Sequence, residues 1–68
     1  MNSALLKGKI RENDMTQAQL AVKIGISRSR FNAKINNKEG AEFTLGEAKD
    51  IKTVLGLDSE TWERIFFS

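Results

Sequence analysis

Residues Thr16 to Ile35 read TQAQLAVKIGISRSRFNAKI, and the path of this stretch decides the fold. Thr16 is followed three residues later by Gln19, a capping box in which the hydroxyl takes a free helix-start amide and the glutamine reaches back to the cap. Leu20, Ala21 and Ile24 recur behind it at helical spacing, and Gly25 supplies the left-handed backbone at which a helix stops. Ser27 is the next cap, with Ile26 just before it and Phe31 four positions after it, so two apolar side chains can clamp the first turn. A helix to roughly Asn36 follows, with Phe31 and Ile35 facing the core. Only Gly25-Ile26-Ser27 joins the two helices, so they must cross at a steep angle. Ala21 is small where they approach, and Ile26 plugs the space between them.

Upstream, Leu5, Leu6 and Ile10 share one helical face after a cap at Ser3, which predicts a helix to about Asn13 despite the cost of Gly8. Asn13-Asp14 reads as a turn. Downstream, Asn36-Asn37-Lys38-Glu39-Gly40 has no apolar residue and reads as a loop. Thr44 and Glu47 form a second capping box, and Leu45, Ala48, Ile51 and Leu55 recur until Gly56 ends the helix. Asp58 or Ser59 caps a fifth helix carrying Trp62, Ile65 and Phe66. No segment alternates apolar and polar residues long enough to be a strand. The expectation is an all-α chain of five short helices, one domain over residues 1–68, without repeat or linker.

Sixty-eight residues hold one small core. Cys and Pro are both absent, so stability must come from packed helices. His is absent too, which removes the usual nitrogen and sulfur ligands of zinc, copper and haem iron; no metal and no cofactor is expected. The serines have no histidine or cysteine partner and the acids fall on surface helix faces, so an enzyme is not expected. The longest apolar run, Ile65-Phe66-Phe67, is far short of a membrane span, and Met1-Asn2-Ser3 opens no signal-peptide pattern. This reading places the protein in the cytoplasm with no membrane partner. The net charge of +2 hides a strong asymmetry. Residues 15–38 carry Lys23, Arg28, Arg30, Lys34 and Lys38 and no acid, whereas residues 39–68 carry seven acids against Lys49, Lys52 and Arg64. The basic middle suits a polyanion, and the acidic end orients the contact.

A short turn, a small residue at the crossing and an apolar plug are the physical requirements of a helix-turn-helix over about residues 16–36. Its second helix, about residues 27–36, protrudes as a rod that a DNA major groove accepts. At Thr16-Gln17, Leu20-Ala21, Gly25-Ile26-Ser27 and Phe31 the sequence resembles the small phage repressor and Cro-like helix-turn-helix proteins. Ile35-Asn36-Asn37-Lys38 resembles that family's loop after the recognition helix, and the apolar fourth helix with Ile65-Phe66-Phe67 extends the likeness over nearly the whole chain. The resemblance implies a five-helix lambda-repressor-like DNA-binding domain and a sequence-specific regulator of transcription that occupies an operator on double-stranded DNA.

The resemblance also implies that Gln17 meets a phosphate and that Arg28, Ser29, Asn32 and Ala33 reach base edges. At about 100° per residue, Phe31 and Ile35 inside turn Ser29 and Ala33 most directly outward, with Arg30 and Asn32 beside them. Arg28 lies at the margin of that face, but it is in the first turn and its guanidinium fork matches guanine O6 and N7, so it ranks first among the readers. Arg30, Lys34, Asn36 and Lys38 are expected to meet phosphates. Two departures from the family stand out. Relatives often pair a first-helix arginine with a glutamate near the end of the recognition helix, where this chain has Ile10 and Ile35. The step from Phe31 to Ile35 is four where relatives often step by three, which predicts a rolled recognition helix.

Other readings of the same residues are more modest. Arg28, Arg30 and Lys34 also fit a solvated helix face, and Gln17 also fits a residue that merely follows a cap, because main-chain amides hold phosphate without it. Trp62 fits a core aromatic. Ile65, Phe66 and Phe67 cannot all face one core: either the chain end frays and folds Phe67 back over the core, or Phe67 stands outside and Trp62, Phe66 and Phe67 are a contact for a homodimer or for a partner repressor protein. The second function is therefore a modulator of repression that binds another phage repressor.

Overall fold

The computed structural model describes residues 1–67. In chain order it contains α1 (Ser3–Glu12), α2 (Gln17–Ile24), α3 (Arg28–Ile35), a single 3₁₀ turn at Lys38–Gly40, α4 (Leu45–Leu55) and α5 (Ser59–Phe66). The described residues form a compact, all-helical body of 27 × 24 × 20 Å without strands. None of its helices is long and apolar enough to cross a membrane.

Local chemistry sets most helix ends. Thr16 and Thr44 make complete capping boxes: Gln19 N–H donates to Thr16 Oγ1 at 3.1 Å and Thr16 N–H to Gln19 Oε1 at 2.9 Å, with Glu47 and Thr44 repeating the geometry. Ser27 caps α3 through the Arg30 amide and Asp58 caps α5 through the Thr61 amide. The cap of α1 is Asn2 rather than the expected Ser3, because the longer carboxamide reaches the Leu5 amide at 3.1 Å and leaves Ser3 as the first helical residue. The Asn2 N–H in turn donates to the Ile65 carbonyl at 2.7 Å, fastening the start of α1 to α5. Gly25 ends α2 at φ +81°, with its own amide on the Val22 carbonyl and the Ile26 amide on Ala21. Gly56 closes α4 with the same pair of bonds.

The apolar stripes meet in one core. Leu6 and Ile10 of α1, Leu20 and Ala21 of α2, and Phe31 and Ile35 of α3 are buried with Ile51 of α4 and Ile65 of α5. Helix α2 packs against α3 and α4, and α1 against α2 and α5. Leu45 departs from the sequence reading. It stands outside, because Ala48, Ile51 and Leu55 define the inward face of α4 and position 45 lies well around the helix from its centre. Phe43, from the segment before α4, fills the space instead. Its ring meets Phe31 edge-on at 5.3 Å and Phe66 at 6.1 Å.

Candidate nucleic-acid interface

With Phe31 and Ile35 inside, α3 turns its other side to solvent, and Arg28, Ser29, Arg30 and Asn32 are exposed while Ala33 is half-buried. The four expected readers, Arg28, Ser29, Asn32 and Ala33, line one open depression together with Lys38. Arg28 and Ser29 come from the first turn of α3, Asn32 and Ala33 from the next, one helical row apart. Lys38 reaches the same rim because Asn37 and Glu39 take left-handed backbone, at φ +53° and +54°, and curl the chain back after α3. No carboxylate among the described residues lies within ion-pair distance of Arg28, Arg30 or Lys38. The arrangement offers a planar two-pronged donor, a hydroxyl, a carboxamide and a methyl group, with an ammonium at the edge.

Lys34 does not join them. It is one of the buried residues of α3, since it lies three positions after Phe31 and shares the inward face. Its Nζ donates to both Glu47 oxygens, at 2.6 and 2.8 Å, with side-chain exposures of 11% and 15%. The expected phosphate contact is therefore an internal ion pair that clamps α3 to the first turn of α4. Glu47 also accepts the Thr44 amide at 2.9 Å, so one carboxylate caps α4 and holds α3. Burial raises the Glu47 carboxyl, but the bonds from Lys34 and Thr44 and the lysine charge outweigh it and hold it below its ordinary value.

Asn36 is exposed, but its side-chain amide is already engaged. Its Oδ1 accepts Lys7 Nζ at 3.2 Å and its Nδ2 donates to the Asn32 carbonyl at 3.0 Å, so the amide closes α3 and ties it to α1. Lys7 itself was missed in the sequence, as was Arg11 one turn later. Both line a second depression with Ile10, Met15, Thr16 and Gln17. Their i, i+4 spacing on α1 was the signal, and it was obscured because their segment is nearly balanced in charge. Gln17 is half-buried at the first position of α2. Ile10 and Ile35 both lie in the core.

The three C-terminal contact residues separate. Trp62 is half-buried, with Nε1 donating to the Ala48 carbonyl at 2.8 Å and the Lys52 ammonium 5.0 Å from its ring. Phe66 is half-buried against Phe43. Phe67 is 60% exposed and rests edge-on against Trp62 at 5.1 Å. Met1, Phe43, Phe66 and Phe67 line a cleft with Asn37 and Glu42. Among the described residues no three potential metal ligands gather.

Comparison with known proteins found no matching family model, no matching curated protein and no matching solved structure.

Proposed function

We infer that this chain is a sequence-specific DNA-binding regulator in which α2, the Gly25-Ile26-Ser27 turn and α3 act as a helix-turn-helix. The observation that carries the reading is the depression on α3, where Arg28, Ser29, Asn32 and Ala33 stand together with uncommitted side-chain groups. A helix is about 10–12 Å across, and the major groove is about 12 Å wide, so α3 fits with this face on the base edges. Lys38 and Arg30 flank the face, and Lys7 and Arg11 stand on the α1 side beside Gln17. The likeness of Thr16–Phe31 to the phage repressor and Cro-like motif and the five-helix order support the same reading, a lambda-repressor-like domain.

The test is binding to duplex DNA over a range of salt concentrations. With Lys34 neutralised by Glu47, about four cations (Lys7, Arg11, Arg30, Lys38) remain for phosphates, so log K falls against log salt with a slope of about −3.6 per monomer. No binding at low salt, or a slope near zero, overturns the reading. The exposed Phe67 beside its cleft favours a second reading: a modulator that binds a partner repressor. Retention of a repressor encoded beside it, with no affinity for DNA, is the result that reading expects.

A further inference from the structure

The depression on α3 also constrains which bases it takes, an inference that rests on the DNA-binding reading above. We propose that each half-site read by α3 holds a G·C pair and an A·T pair no more than two steps apart, the guanine on Arg28, the adenine on Asn32 and the thymine methyl on Ala33.

Arg28 is the only lining group with two parallel N–H donors, and guanine O6 and N7 form the only pair of adjacent acceptors on a major-groove edge. Asn32 carries one carbonyl and one NH₂, which match the N6–H donor and N7 acceptor of adenine. Its carboxamide is free to do so. The bonds of Asn32 are made by its main chain, whose carbonyl accepts from Asn36, and the side-chain amide of Asn36 is itself spent on that bond and on Lys7. Ala33 is the apolar group among the five that line the depression, and the thymine 5-methyl is the apolar group of the groove edge. Ser29 bonds any base and adds no preference. Cytosine is read directly by a carboxylate accepting from N4, and residues 15–38 contain no acid. Arg28 and Asn32 are four residues apart, about 6 Å along the axis, while base pairs stack about 3.4 Å apart. That ratio sets the limit of two steps.

The experiment selects bound duplexes from a randomised library with the wild-type chain, then places base analogues in the selected sequence. Enrichment of a guanine and an A·T pair within two steps is expected. Replacing that guanine by 7-deazaguanine, which lacks the N7 acceptor, should lower affinity roughly fivefold for the wild type and leave Arg28→Ala unaffected. Replacing the thymine by uracil, which lacks the methyl, should cost about fourfold and leave Ala33→Gly unaffected. The analogues alter only the DNA, so the wild-type arms hold whatever the variants do to folding. Salt-sensitive retention of duplexes with no enrichment, or enrichment of a motif without that pair of base pairs, overturns the proposal and leaves DNA binding standing. Equal losses in wild type and variants place the readers elsewhere and also overturn it. Failure to retain any duplex at low salt removes both.

Discussion

A lysine ammonium held by both oxygens of a carboxylate presents almost no net charge to its surroundings, and that is the condition of Lys34 on Glu47. Glu47→Gln keeps the capping box, since glutamine serves at that position, but leaves a poorly solvated ammonium; it should cost about 2–3 kcal/mol in denaturant unfolding. Lys34→Met together with Glu47→Gln should recover most of the loss, and no recovery in the double-mutant cycle would show that the two are not coupled. The double variant should also keep the salt slope of DNA binding, whereas Lys38→Ala makes it shallower by about 0.9. The pair has a pH signature as well. The folded Glu47 carboxyl lies below its unfolded value, so the unfolded chain takes up the extra proton on acidification. Its stabilisation is complete above the ordinary carboxylate range, roughly pH 4–4.5, and is lost as pH falls through the lower folded value. Thermal melts between pH 7 and 3 should therefore fall less steeply for Glu47→Gln. Asp58, held down by the Thr61 amide, leaves a residual acid slope in both proteins.

The same substitution has opposite signs in two helices. Gly8 lies inside α1 with nothing within 4 Å of an added Cβ, so Gly8→Ala gains helix propensity and should stabilise by up to about 1 kcal/mol. Gly25 has as much room, yet its φ of +81° penalises any L side chain, and Gly25→Ala should destabilise by about 1–2 kcal/mol. Urea midpoints compare the two directly, and equal signs would refute the assignment of Gly25 as the left-handed stop. Such ends were legible in the sequence because a cap or a stop is written within a few residues: Thr16 with Gln19, Ser27, Thr44 with Glu47, Gly25 and Gly56. Interactions between helices were not. Lys34 and Glu47 are 13 residues apart, and each already had a local meaning, one as a basic residue on an exposed-looking helix, the other as a cap. Phe43 sits where no periodicity marks it as core. The exposure of Arg28, Ser29 and Asn32 on α3 was legible from the helical wheel, while the places of Lys7 and Asn36 depended on how α1 meets the end of α3.

Across the whole molecule, Lys7 and Arg11 lie on α1, Lys23 on α2, Arg28 and Arg30 on α3 and Lys38 on the turn after it, while the seven acids of residues 39–68 lie from that turn onward. On the DNA-binding reading, this uneven charge would turn the α3 face toward a polyanion before contact. At the C-terminal cleft, Phe67→Ser separates the candidate roles. A fall in DNA affinity with a shift from dimer to monomer in sedimentation would mark a dimer contact. Loss of repressor binding at unchanged mass and DNA affinity would mark a partner site, and a lower melting temperature alone would make Phe67 a packing residue. The surroundings of Trp62 make that end observable without a label. The chain has one tryptophan and no tyrosine, so its ultraviolet emission comes from one indole, fixed by the Ala48 carbonyl, the Lys52 ammonium and the edge of Phe67. Anything that seats on Phe67 changes the polarity and the quenching around that emitter. Its hydrogen bond and ring contacts all lie on α4, α5 and the residue after α5, so a ligand that meets only Arg28, Ser29, Asn32 and Ala33 should leave its colour unchanged, and one fluorescence titration tells the two surfaces apart.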